Sequence, residues 1–413
     1  MKYLLTFCLF LFVFIQMKAE DTIPKERTGK EYSFVIQDTP SALFTMRQSN
    51  ENFLSIYRMG VEEINRSLPR NTGFCLQVVL DVLFFIPLTH EEGHRSILTN
   101  EEIGSVSKPY FNKHGTAYVT GVTNEALMAL RDNNLPVFTR MYTAGLESDY
   151  ALLLREKSLL SWKNESYDVL WVEYFMRKIN LVYYYTTGLY NYNAGLKEEK
   201  NELQRDIAGH DVYGAIRSLH NPAMEFKRYV DYEDLLPEEQ KFVKRVGWRS
   251  LINLLDPSLL QKDWFIKDKY FINFGLGYSM SPFGDFIDEH FWLKADALKM
   301  HFYLRQYQNK NNWFPSLGID FADISLFKNF YSCMALHTWS QPKDFSFTQS
   351  EGQLGGAIDV LCKYRLPMKR KTNRLTGISI DIGFIAKTQG FLPEEVAMNK
   401  HFGLRIGTSI WLK

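Results

Sequence analysis

Two hydrophobic periods divide this chain. Up to about residue 262 the apolar positions recur at helical spacing; from Lys269 onward they alternate. In the first part, Leu54, Tyr57, Val61 and Ile64 share one face. They predict a helix from the capping stretch Ser49–Asn50–Glu51 through Asn65, ended by Pro69. A second helix starts near Asn71–Thr72 and carries the apolar stretch Phe74–Leu88. Gln77, Asp81 and Pro87 interrupt that stretch, so it predicts a buried core helix and not a transmembrane one. Ser166–Tyr192 predicts a long aromatic helix.

In the last third, Tyr270, Ile272, Phe274, Leu276, Tyr278 and Met280 alternate with Asn, Gly and Ser. Ile378–Phe384 and Phe402–Leu412 do the same. Less regular strands at Phe291–Gln306, Leu317–Phe327, Phe330–Ser340 and Ala357–Leu366 bring the expected number to about seven. A weakly alternating stretch, Tyr32–Gln37, predicts one more and could make eight. The expected fold class is α+β, with a mainly helical domain over 51–262 and an all-β antiparallel domain over 263–413.

The two faces of these strands differ in size. One is large and apolar; the other is Gly, Ser, Asp, Lys and Arg. Long strands with aromatic residues near their ends favour a small transmembrane β-barrel, whose large face meets lipid, over a soluble β-domain. The N-terminus agrees with export. Met1–Lys2 is basic, Leu4–Ile15 is unbroken apolar sequence, and Gln16–Ala19 forms a processing site. Residues 1–19 read as a signal peptide and 20–50 as a polar lead-in. The net charge of +1 gives no nucleic-acid surface. Of the cysteines beyond Cys8, only Cys333 and Cys362 could pair, and roles as small buried apolar residues suit them better.

Candidate chemistry sits in Thr89-His90-Glu91-Glu92-Gly93-His94-Arg95. Histidines four apart on a helix point the same way and can grip one zinc ion, and Glu91 can take a proton from the water such an ion activates. A third ligand is needed. Glu147, after the small residues Ala144 and Gly145, is the best-suited candidate, and Asp149 can accept a proton from a ligating histidine. Further on, Lys113-His114-Gly115 lies between two strand-like runs and predicts a hairpin turn, a candidate for holding a substrate backbone by edge pairing.

His90-Glu91-Glu92-Gly93-His94, followed by a helix carrying Glu147 and Asp149, resembles the gluzincin metallopeptidases. Within them it is most similar to the heat-shock and CAAX-prenyl-protease-like group. The resemblance covers about residues 50–220, and the two-residue spacing of Glu147 and Asp149 departs from that group's four. It implies a zincin-like helical domain, zinc bound by His90, His94 and Glu147, and Glu91 as general base. It also implies a later side chain that stabilises an oxyanion, here His210, with His220 in reserve. The expected protein is a zinc peptidase of the cell envelope acting on a peptide or protein. Its helical domain would lie in the periplasm and its barrel in outer-membrane lipid. Two alternatives stay open. One is a non-enzymatic barrel protein for transport or envelope structure; the other is a peptidase whose β-region is a soluble recognition domain.

Overall fold

The computed structural model describes residues 29–39, 44–108, 117–267, 270–296, 298–367 and 374–413. The expected signal peptide and the Lys113-His114-Gly115 turn lie outside them. Helix α1 (Met46–Ser67) starts at Thr45, whose hydroxyl accepts the Gln48 N–H. Next come α2 (Arg70–Leu80), a π turn (Asp81–Phe85) and α3 (Ile86–Asn100). Then follow α4 (Asn124–Asn133), α5 (Leu135–Ser161), α6 (Tyr167–Thr186), α7 (Asp211–His220) and α8 (Pro237–Ser250).

The stretch expected to be a core helix is not one. Arg70–Asn100 is a single 31-residue helical run, long and apolar enough to cross a membrane by length and composition, and only 28% of its apolar window is buried. The interruptions in sequence are not interruptions in space. Gln77 and Asp81 turn inward and are buried, while Phe74, Val79, Leu83 and Leu88 are exposed. Pro87 falls just past the π turn, where the backbone already departs from regular α-helical bonding.

Strand β1 (Lys30–Asp38) comes from the lead-in. A short hairpin follows, β2 (Val106–Lys108) with β3 (Tyr118–Thr120). The C-terminal part holds nine described strands: β4 (Trp264–Lys267), β5 (Tyr270–Ser281), β6 (Gly284–Ala295), β7 (Leu298–Gln308), β8 (Trp313–Phe327), β9 (Phe330–Pro342), β10 (Gly352–Arg365), β11 (Leu375–Lys387) and β12 (His401–Leu412). The expected single strand Phe291–Gln306 is two strands, because the chain turns at Asp296 with φ of 47°. Each strand pairs antiparallel with the one before it, and β1 adds to β12 with Tyr32 opposite Ile410. The result is one ten-stranded antiparallel sheet with β4 and β1 at its edges.

The C-terminal strands carry large apolar residues on their exposed face. On β11 and β12 the large residues Ile380, Ile382, Leu404 and Ile406 are exposed, and Ser379, Asp381, Arg405 and Ser409 are buried. Polar residues of the buried face are bonded to the helices. Tyr150 donates to Asp288 on β6 at 2.6 Å, and Arg47 reaches Asp359 on β10 at 2.5 Å. Helices and sheet share one apolar core, with Ile97, Leu146, Tyr185 and Val243 packed in the same cluster as Tyr278, Phe286 and Phe391. Cys333 and Cys362 are free. Leu361 stands opposite Cys333, so the two thiols leave opposite faces of β9 and β10.

Candidate functional site

The site forms where α3 meets α5. His90 and His94 are four residues apart on α3 and both are buried. Two glycines make the contact close. A Cβ on Gly93 would stand 2.5 Å from the Ala144 carbonyl oxygen; one on Gly145 would stand 2.4 Å from His90 Nε2 and 2.5 Å from His94 Nε2. Ser148 reinforces the contact, donating to the Thr89 carbonyl at 2.9 Å.

Each imidazole is oriented from behind. His90 Nδ1 lies 2.9 Å from Asp149 Oδ2, and the other Asp149 oxygen accepts from Arg177. Arg177 also donates to Glu173 at 2.6 Å and to Thr89 Oγ1 at 2.9 Å. His94 Nδ1 lies 2.6 Å from the Met141 carbonyl oxygen. A carbonyl oxygen and an arginine-bound carboxylate only accept, so both Nδ1 atoms carry the proton. In the neutral rings the two Nε2 lone pairs then face forward.

What they face is Asp211. Its Oδ2 lies 3.0 Å from His90 Nε2 and 3.3 Å from His94 Nε2. Two lone pairs aimed at one carboxylate oxygen repel it. The arrangement is satisfied by protons on the rings or by a cation among the three atoms. Without a cation, the charged rings win over burial: Asp149 and Asp211 hold the His90 pKa well above its usual value, and Asp211 raises that of His94. Burial likewise opposes the Asp211 carboxylate, and the His94 and His90 rings hold its pKa well below the usual range. His90, His94 and Asp211 are the one described group of three such ligand atoms within 4.8 Å of one another.

Asp211 opens α7 with His210 as the preceding cap residue. An acidic residue in the first turn is favoured by the helix dipole. In the sequence, the signal for Asp211 is its place at a helix start directly after His210.

Glu147 is not brought to the histidines. Arg140 grips its carboxylate at two points, 2.7 and 3.0 Å, and the Glu394 N–H donates to it at 2.8 Å. Two residues along a helix turn a side chain by about 200°, so Glu147 faces away when Gly145 faces His90. Asp149, four residues from Gly145, returns to the histidine face as expected.

Glu91 is partly exposed, and its carboxyl senses both rings. Burial pushes its pKa up, the His94 and His90 rings pull it down, and Asp211 and Asp149 push it up again; the balance is upward. Asp206 is also raised, by burial and by the Glu91 and Asp211 charges. His210 is adjacent to the centre but neutral, since burial pushes its pKa down to about 4. Its ring stacks on Tyr213 at 3.8 Å, and its Nδ1 is buried without a partner. Tyr184 stands between the two, its ring 5.7 Å from that of His90 and 5.0 Å from that of His210. His220 is at the far end of α7, its Nδ1 3.0 Å from the Ile216 carbonyl oxygen, and takes no part.

The hairpin β2–β3 lies beside the motif helix, with Ser107 donating to Glu92 at 2.7 Å. A large cavity lies elsewhere. It measures about 1420 Å³, lies between the helices and the sheet, and is lined by residues such as Arg47, His290, His301, Tyr303, Asp320 and Lys363. No family model, curated protein or solved structure matches this chain.

Proposed function

We propose that the chain is a zinc-dependent hydrolase of the HExxH type that acts on peptide bonds in the cell envelope. His90, His94 and Asp211 hold the ion, and the sheet is seated in the outer membrane. Asp211 takes the place expected of Glu147. One observation carries the metal reading: both Nδ1 atoms are committed as donors, and both Nε2 atoms converge on one Asp211 oxygen.

Zinc, when bound, supplies a Lewis acid that polarises a carbonyl and lowers the pKa of a water. The remaining roles belong to the chain. Glu91 accepts a proton at its carboxylate and returns it to the leaving amine. Asp149 and Arg177 hold the His90 ring in one tautomer and orientation. Tyr184 and the neutral His210 flank the centre and are the donors nearest to hand for a developing oxyanion. The membrane reading rests on the C-terminal strands, where Ile380, Ile382, Leu404 and Ile406 face outward while Ser379, Asp381, Arg405 and Ser409 are buried.

Metal analysis and a peptide assay test this together. Purified protein should carry one zinc, the double variant His90→Ala/His94→Ala should carry none, and Glu91→Gln should keep zinc and lose hydrolysis. Zinc-free wild-type protein, or full activity in Glu91→Gln, sinks the enzyme reading. Extraction by detergent and heat-modifiable gel mobility test the membrane seat. A second reading, an envelope protein without turnover that holds or passes a ligand, is favoured by the position of the large cavity, lined in part by charged side chains, away from the HExxH helix. Retained ligand without hydrolysis in zinc-loaded protein would select it.

A further inference from the structure

We infer that α2, the π turn and the first turn of α3 lie against lipid beside the sheet, so that the His90–His94–Asp211 centre stands at the edge of the apolar layer. The inference rests on the membrane reading of the sheet. The outward side chains of this run are Phe74, Leu76, Val79, Val82, Leu83 and Leu88, all exposed. Within Phe74–Leu88 the polar side chains Gln77 and Asp81 turn the other way: Gln77 donates to Asn65 at 3.1 Å, and Asp81 accepts from Tyr57 at 3.4 Å. A helix on the surface of a water-soluble fold has the opposite arrangement.

The length fits a slab. Phe74 to Leu88 spans about 21 Å at the helical rise, against an apolar band of about 25 Å on outer-membrane sheets. Charges bracket the stripe. Arg66 and Arg70 are exposed before it, and Glu91, Glu92 and Arg95 follow it. A protein partner would meet a patch with a polar rim on all sides. Here the charges stand at the two ends of a stripe, and β12 shows the same inversion independently, with Phe402, Leu404 and Ile406 outward and Arg405 and Ser409 inward. Two unrelated elements share one solvent preference, and acyl chains satisfy both.

Cys75 is exposed on this run and gives a native labelling handle. The full chain, with Cys8, Cys333 and Cys362 replaced by Ser, is labelled at Cys75 with a fluorophore and reconstituted into phosphatidylethanolamine/phosphatidylglycerol vesicles containing brominated acyl chains. Parallel labels are placed at Ile406→Cys on the sheet and at Arg66→Cys beyond the stripe, each in a Cys75→Ser background. Brominated lipid should quench the labels at Cys75 and Ile406→Cys alike and leave Arg66→Cys unquenched. Quenching at Ile406→Cys but not at Cys75 overturns the inference and leaves the sheet reading intact. Quenching at neither overturns both. A Cys75 label untouched by brominated lipid but showing concentration-dependent transfer to a second labelled molecule assigns the stripe to another copy of the chain and overturns the inference.

Discussion

A Cβ on Gly145 would stand 2.4 Å from Nε2 of His90, so α5 reaches the histidine pair only because this position has no side chain. The same missing methyl leaves the room in which an ion would sit. Gly145→Ala should therefore cut zinc affinity by at least about tenfold while leaving every proposed ligand in place. In helix propensity alanine gains about 1 kcal/mol over glycine, whereas overpacking costs about 1–3 kcal/mol. A net loss of stability in denaturant titrations would thus report the clash. Zinc affinity equal to wild type would show that the ion does not lie between the two Nε2 atoms.

Asp211 and Glu147 separate cleanly. Asp211→Asn should abolish stoichiometric zinc at micromolar free metal. Glu147→Gln should keep zinc and lose stability, because it weakens the grip of a buried Arg140 whose carboxylate partner is gone. Breaking such a pair costs about 3–5 kcal/mol. Metal content and urea midpoints of both variants, measured side by side, decide which carboxylate is the ligand.

Arg177 is fully buried and joins Asp149 to Glu173. Arg177→Met should lower zinc affinity about 10–100-fold through the loosened His90 ring, and Arg177→Lys should recover part of it. A cobalt-loaded sample gives an independent readout, since a displaced His90 changes the visible spectrum of the ion. Identical spectra in wild type and Arg177→Met would remove Arg177 from the support of the centre.

His210 gives a pH signature. Its pKa in the fold is about 4, below the ordinary histidine value, because burial disfavours the charged ring. Between about pH 6.5 and 4 the unfolded chain therefore binds a proton that the folded chain does not. Stability should fall as pH drops through that window, and the slope should be shallower in His210→Gln. Equal slopes for the two proteins, measured at one fixed metal concentration, would contradict the buried neutral ring.

Much was legible in the sequence because it depends on local spacing. His90 and His94 had to share a face if residues 86–100 were helical, and Gly145 was readable as a point of close approach. Alternation located most strands, although the turn at Asp296 was hidden because both flanking strands are rich in the same residue types. Glu147 and Asp149 cannot both face the motif, because a helix turns by about 200° over two residues.

Tertiary structure alone decided the rest. Asp211 reaches the histidines across a fold in which α5 and α7 pack together, and no sequence period links it to His94. The outward sense of the sheet was equally undetermined by alternation, since the pattern is identical whichever face is buried. The same holds for α2, where Gln77 and Asp81 read as breaks in an apolar run until the packing of Tyr57 and Asn65 turned them inward. Local periodicity fixes which side chains lie together on an element. Only the packing of elements fixes what that face meets.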